Sequence, residues 1–244
     1  MIRHTKTKIT PTHENGNAIW LILLTIALFG ILGAVISRNS ASIDQTGSIE
    51  SDRIKAAAML RYAKSIETAV QTMLLNGVSE NDLDFVAMAG HDNTNCNTPE
   101  CEIFNIAGGG VDYQSAQDIL DDDSFTGSWH VTTGNRVYQF GCDDSNNGCT
   151  ELLLIARDLP KSICLQINRI QDITNTGNDA PQQTEVIEGS AYTGSYSTTV
   201  NSAFIGGTNA GVESTEVQGK AAGCIFEYSA SQDKYHFYQV LISR

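Results

Sequence analysis

The strongest constraint on this chain is an uninterrupted apolar run near its amino terminus. From Ala18 to Ser37 there are 20 residues without a charged side chain or a proline. As an α-helix with a rise of about 1.5 Å per residue, such a run reaches about 30 Å, the thickness of the hydrocarbon core of a bilayer. The sequence therefore predicts a transmembrane helix over residues 17–38.

The charges on either side of the run predict its orientation. Arg3, Lys6 and Lys8 precede it, whereas only Arg38 follows closely. The positive-inside bias places the basic leader, residues 1–16, in the cytoplasm and the body on the other side of the membrane, as in a single-pass protein. A cleavable signal peptide is the alternative, but its apolar region usually has only about 7 to 15 residues.

The body is acidic and contains all the cysteines. The chain has 244 residues and a net charge of -13; residues 1–17 carry three basic side chains and one acidic one, a net +2, which leaves -15 for the remainder. Such a surface repels phosphate backbones, so nucleic acid is not predicted as a partner. The six cysteines are Cys96, Cys101, Cys142, Cys149, Cys164 and Cys224. Their even number, all on one side of the apolar run, predicts disulfides in an oxidising compartment.

Spacing suggests how these cysteines pair. Cys96 and Cys101 flank a short loop and Cys142 and Cys149 flank a turn, so each pair is predicted to bond locally. Cys164 would then pair with Cys224. Six cysteines allow fifteen pairings, so this argument rests on proximity alone. The separations do not match the closely spaced ligand pairs of a zinc site.

A second helix is predicted over residues 49–77, after a polar link at residues 39–48. Its apolar side chains recur at intervals of three and four, at Met59, Ala63, Ile66, Val70 and Met73. That spacing is typical of a helix packed on a sheet, with Ser48 as its cap and Gly77 as its end. Within the apolar run, Gly30 and Ala34 form a pair of small residues that allows close approach of a neighbouring helix.

Residues 78–244 are predicted to fold as an α+β domain. Alternating residues around Gly134-Asn135, followed by an apolar strand, predict a three-stranded meander over 128–156. A helix begins near Pro160, with Ile163, Ile167 and Ile170 directed inward onto the meander. Residues 174–220 have the composition of a long loop with irregular strands. The segments 223–229 and 234–243 flank a turn and predict a terminal hairpin.

The sequence contains little that points to chemistry. Asp143, Ser145 and Asn147 follow the alternating pattern that starts a calcium loop, but its twelfth position is Leu154 and not glutamate, so an acidic turn is favoured over a metal site. No cofactor is predicted. HExxH and GxSxG motifs are absent, so a hydrolase would have to be assembled from scattered residues. The chain is therefore predicted not to be an enzyme.

The layout resembles that of type IV pilins and pseudopilins: a basic leader ending in Gly16, an apolar helix, an amphipathic helix and a disulfide-bearing α+β body. The segments LLNGVSENDLDF, AGGGVDY, ARDLPKSICLQINR, AAGCIFEY and YHFYQVLISR resemble pilin-like proteins of Gram-negative bacteria, especially alphaproteobacteria. Pilins generally carry Phe or Met just after the processed glycine and Glu four residues further on. This chain has Asn17 and Leu21 there.

The resemblance implies a structural subunit or minor component of a surface filament or secretion apparatus, anchored in the inner membrane before assembly. It also implies processing between Gly16 and Asn17 by a prepilin peptidase, and contacts with other pilin-like subunits. The alternative is a permanently membrane-anchored periplasmic module for binding or adhesion. A hydrolase is the third possibility.

Overall fold

The computed structural model describes residues 17–141, 149–183, 187, 189–197, 204–207, 214–227 and 234–244. In the first helix, side chains are described from Trp20 to Gly30 and from Gly47 onward. The chain divides into two compact units, Met1–Ser48 and Ile49–Arg244. Each is described here by itself, and the second is called the body.

Helix α1 extends over Asn17–Leu75. It is helical through residues 39–48, where the sequence predicted a polar link between two helices. Within the described part of the chain, no helix combines the length and apolarity that a membrane span requires. The prediction of a transmembrane helix over residues 17–38 is therefore corrected: these residues belong to the longer helix α1.

The portion of α1 that belongs to the body packs through the predicted apolar stripe. Met59, Ala63, Ile66, Val70 and Met73 are all buried. The helix ends in a Schellman arrangement, in which Val78 N–H donates to Met73 O and Gly77 N–H to Leu74 O, each at 3.0 Å. Gly77 has a φ of 94°, a conformation that glycine adopts without strain. This geometry explains why the helix stops where the sequence predicted its end.

Among the described residues, seven strands form two sheets. They are β1 (Trp129–Thr132), β2 (Arg136–Val137), β3 (Leu152–Ala156), β4 (Gln182–Gln183), β5 (Phe204–Ile205), β6 (Ala222–Glu227) and β7 (Lys234–Ile242). The larger sheet has the order β1-β3-β7-β6-β4, and β2 pairs with β5 in a second sheet. The β6–β7 hairpin confirms the terminal hairpin that the sequence predicted.

The predicted meander over 128–156 is wrong. β1 pairs antiparallel with β3, and β2 pairs with the distant β5 in a parallel orientation. The side chain of Glu151 accounts for part of this, because its carboxylate accepts a hydrogen bond from Val137 N–H at 2.6 Å. Asn135 donates through Nδ2 to Ile187 O at 2.9 Å. The segment at Gly134-Asn135 is therefore bound to other parts of the chain and does not close a hairpin.

Two short helices complete the regular structure, α2 (Ala116–Leu120) and α3 (Lys161–Ile170). Single 3₁₀ turns occur at Glu80–Asp82, Pro99–Cys101, Thr176–Asn178 and Thr215–Val217. Helix α3 packs mainly on β6 and β7, whereas the sequence predicted packing on the meander. Ile163 and Ile167 are buried, but Ile170 is 42% exposed. Cys164 and Asn168 complete the inward face of α3 instead.

The main sheet is covered on both faces. Leu152, Leu154 and Ala156 of β3 belong to the cluster that includes the buried stripe of α1. Leu153 and Ile155 belong to a second cluster on the opposite face. A strand buried on both faces reads as a continuous apolar run, which explains the sequence LLLIA. The body is thus an α+β fold with its sheet at the centre.

Two disulfides are described, and both were predicted from spacing. Cys96 and Cys101 are bonded with a Cα–Cα distance of 5.7 Å, and Cys164 and Cys224 with one of 5.4 Å. The second bond joins α3 to β6. Cys142, the predicted partner of Cys149, lies outside the described residues.

Candidate functional site

The most unusual surface among the described residues is the stretch Trp20–Gly30 of α1, here called the apolar segment. Its large side chains are between 44% (Leu24) and 73% (Phe29) exposed. They are Trp20, Leu21, Ile22, Leu23, Leu24, Ile26, Leu28 and Phe29. Since successive helical residues are about 100° apart, these side chains surround the helix on all sides. A helix that is apolar all round is normally buried in other protein or in lipid.

The one hydroxyl of the apolar segment is satisfied inside the helix. Thr25 Oγ1 donates to Leu21 O at 2.8 Å and lies 2.9 Å from Ile22 O. A hydroxyl bonded to the preceding turn does not need water. From Leu21 to Gly30 the segment therefore contains no side-chain group that would oppose its burial against an apolar partner; the indole N–H of Trp20 lies at its end.

The other predicted assembly residues are placed as follows. Gly16 lies outside the described residues, and Asn17 is the first residue of α1. A side chain at Gly30 would meet nothing within 4 Å, so this position is open to a neighbour. Ala34 lies in α1, where its side chain is not described.

Two histidines, His91 and His130, meet inside the body. The rings of His91 and His130 have centroids 4.9 Å apart. His91 Nε2 accepts from Val131 N–H at 2.9 Å, so its proton is on Nδ1, 3.1 Å from Ala89 O. His130 Nδ1 lies 3.0 Å from Arg157 Nη2, which donates to it, and its Nε2 donates to Gly189 O at 2.8 Å. Both rings are held in one neutral tautomer.

Burial lowers the pKa of both histidines, and that of His130 falls to about 4, with the Arg157 charge contributing. The unfolded chain takes up a proton at His130 as the pH falls through about 6.5, whereas the folded chain does so only near the lowered value. We therefore expect the stability that His130 contributes to be complete above about pH 6.5 and to be lost between there and about pH 4, on the order of 2 kcal/mol in total.

Urea unfolding at a series of pH values measures this loss. The variant His130→Gln, which cannot be protonated, should show a shallower decline in stability over the same window. Parallel curves for the two proteins would contradict the expected role of His130.

A third histidine, His236, lies on β7 close to the carboxylate of Glu227 on β6. Its Nε2 is 3.4 Å from Glu227 Oε2, and the side chain of His236 is fully buried. The His236 hydrogen bond and charge lower the pKa of Glu227 against the opposing effect of burial. Solvent does not reach this pair, so it is placed to hold the two strands together rather than to act on a substrate.

Metal binding gains no support from the part of the chain that is described. No group of three or more His, Cys, Asp or Glu residues there could hold a metal ion. The weak calcium candidates Asp143, Ser145 and Asn147 lie outside that part.

Comparison with known proteins gives no relative. No family model, curated protein or solved structure matches the chain. The resemblance to pilins stays a prediction drawn from the layout of the sequence.

Sequence reasoning missed a second surface, formed where the loop Glu102–Val111 meets α1. Ile106, at the tip of this loop, is 95% exposed. The sequence signal was present, because an apolar residue stands just before the glycines of AGGGVDY. The sequence of that segment alone predicts a flexible turn, because it does not show the contacts that the segment makes with the rest of the body.

Proposed function

We propose that this protein is a pilin-like structural subunit that assembles with other copies, or with related subunits, through the apolar segment of α1. The observation that carries the proposal is the exposure of eight large apolar side chains around ten consecutive residues, Trp20–Phe29. At about 25 cal/mol per Å² of apolar surface removed from water, covering them is strongly favourable. The likeness in sequence layout to pilins supports a helical partner.

The composition of the segment suits packing between helices. Gly30 leaves space for a neighbouring backbone, and the Thr25 hydroxyl is already bonded within its own helix. Small residues allow close approach of helices, and dispersion contacts then hold them. Leu21 occupies the position of the pilin glutamate, so assembly here would depend on apolar contacts and not on a buried carboxylate.

The disulfides of the body fit a subunit that works in an oxidising compartment. Bonds such as Cys164–Cys224 persist outside the cytosol, where thiols are not kept reduced. Covalent links within each body would help an assembly endure outside the cell.

The proposal is tested by placing charges in the apolar segment. The full-length wild-type chain should sediment as assemblies of defined stoichiometry. The double variant Leu23→Glu, Ile26→Glu should sediment as a monomer. Each buried carboxylate would lose hydration without gaining a partner. Sedimentation velocity measures the change, and circular dichroism checks that the body stays folded.

A matched control adds the same two charges at exposed positions elsewhere, as Ser51→Glu with Ser162→Glu. This variant should assemble like the original chain. A wild-type protein that is monomeric at all concentrations, or that forms only aggregates without defined stoichiometry, would overturn the proposal.

A further inference from the structure

The loop Glu102–Val111, here called the Ile106 loop, presents its isoleucine on a fixed support. Gly109 N–H donates to Glu102 O at 3.0 Å, and Gly110 N–H to Asn105 O at 2.8 Å. Asn105 Nδ2 donates to Glu102 Oε2 at 3.0 Å. A loop tied across its base by these bonds holds Ile106 in place, so little conformational entropy remains to be lost when a partner binds.

The glycines of the loop are required by close approach of the backbone. A Cβ on Gly108 would lie 2.2 Å from Glu102 O, and one on Gly109 would lie 2.4 Å from Ile103 O. Both distances are far below van der Waals contact. The sequence AGGG therefore forms a compact turn rather than a flexible linker.

A groove of about 500 Å³ lies between this loop and the outer face of α1. Its lining includes Arg61, Lys64, Thr68 and Ala69 from the helix, with Gly109 and Val111 from the loop. Tyr62 fixes the two walls together, since its hydroxyl accepts from Gln114 N–H at 2.8 Å. The groove is thus preformed, with aliphatic and methyl groups on its floor and cations on its rim.

The charges around the groove and the loop are complementary. Arg61 and Lys64 lie on the rim, where Lys64 pairs with Glu67 at 2.6 Å. The exposed Asp112 directly follows the Ile106 loop. The body has 11 basic and 26 acidic residues, because residues 1–48 contain 4 of the 15 basic and 2 of the 28 acidic ones. The Arg61 guanidinium gives the rim a local positive charge, and Asp112 of a second copy is a carboxylate with which it can pair, whereas the two bodies, each of net charge -15, repel at long range.

We propose that the Ile106 side chain of one copy enters the groove on α1 of a second copy, with Arg61 of each facing Asp112 of the other. Ile106 and one wall of the groove belong to the same loop. The contact can therefore be reciprocal about a two-fold axis, so that each copy inserts its Ile106 into the groove of the other. The inference deepens the proposed function, since it assumes that copies assemble, and it names the surface by which their bodies meet. Tethering through the apolar segment raises the effective concentration of the two bodies.

Photocrosslinking tests where Ile106 lies in the assembly. The full-length chain carrying a benzophenone amino acid at position 106 is mixed with isotopically heavy protein, irradiated and digested. We expect adducts between position 106 of one copy and the segment 61–72 of the other. The same probe at Ile170, which is 42% exposed on α3, should give no such adducts. Absence of adducts from position 106 in a sample that has assembled would overturn the inference.

Charge reversal tests the pairing without relying on the apolar contact. The full-length chain is studied in non-ionic detergent, which covers the apolar segment, so that the remaining association reports on the bodies. Arg61→Glu should weaken dimerisation by about tenfold, and adding Asp112→Arg to it should restore most of the loss. Ile106→Asp should weaken dimerisation at least as much, and Ile170→Asp, on α3, should leave it unchanged.

The outcomes separate this inference from the proposed function. Bodies that stay monomeric in detergent up to millimolar concentration, or a double variant no better than Arg61→Glu, would overturn the reciprocal contact. Assembly through the apolar segment without detergent would stand in either case.

Discussion

Removing the Cys164–Cys224 bond should lower the free energy of unfolding by about 4 kcal/mol, and removing Cys96–Cys101 should lower it by about 2 kcal/mol. The bonds close loops with sequence separations of 60 and 5 residues. A cross-link restricts the unfolded chain more when the loop is longer. Urea unfolding of Cys164→Ala with Cys224→Ala, and of Cys96→Ala with Cys101→Ala, measures both effects.

The second double variant is the control for the first, because each loses one disulfide and gains two alanines. Cys164 and Cys224 are also fully buried, so the first variant loses packed sulfur atoms as well. Equal losses of stability in the two proteins would show that loop length does not determine the contribution of these bonds. Circular dichroism at low denaturant checks that both variants fold.

The features that the sequence predicted correctly depend on contacts between residues that are near one another in the sequence, or on the helical repeat of apolar residues. The stripe from Met59 to Met73 follows the helical repeat, and these side chains are buried because α1 packs one face on the sheet. The β6–β7 hairpin joins neighbouring strands. The Cys164–Cys224 bond was predicted because each of the other four cysteines had a possible partner nearer in the sequence.

The features that failed depend on distant parts of the chain. β2 pairs with β5, and β1 is bridged on its other side by Ala191. A hairpin signal at Gly134-Asn135 cannot reveal that Glu151 will accept from Val137 N–H. Local propensity was overridden by these tertiary hydrogen bonds, as is common for short strands. Ile170 was misplaced because α3 packs mainly on β6 and β7, whereas the sequence predicted packing on the meander.

The two candidate surfaces differ in how much of them the sequence revealed. The apolar segment is visible as a run of residues, although the predicted bilayer span was wrong for the part that is described. The groove was invisible, because α1 and the loop that form it are some 40 residues apart, as Ala69 and Gly109 show. Its existence depends on Tyr62 binding Gln114, a contact that no local pattern encodes.

Asn168 occupies a position that the helical period alone would assign to an apolar residue. It is fully buried on the inward face of α3. Its Oδ1 accepts from Cys224 N–H at 2.8 Å, and its Nδ2 donates to Cys224 O at 2.9 Å. In the part of the chain that is described, β4 pairs with β6 at Phe226 and Glu227. Asn168 therefore supplies the Cys224 backbone with the two hydrogen bonds that a residue of a neighbouring strand would otherwise make.

Asn168→Ala should lower the free energy of unfolding by about 3 kcal/mol, because it leaves a buried N–H and a buried C=O of Cys224 without partners. Arg169→Ala, at the neighbouring exposed position of the same helix, should change it by less than about 0.5 kcal/mol. Urea unfolding measures both, with mass spectrometry confirming that the adjacent disulfide is intact. A loss below about 1 kcal/mol for Asn168→Ala would mean that water or a shifted strand satisfies Cys224 instead. A large loss would show that α3 is held to the sheet by strand-like hydrogen bonds as well as by its disulfide.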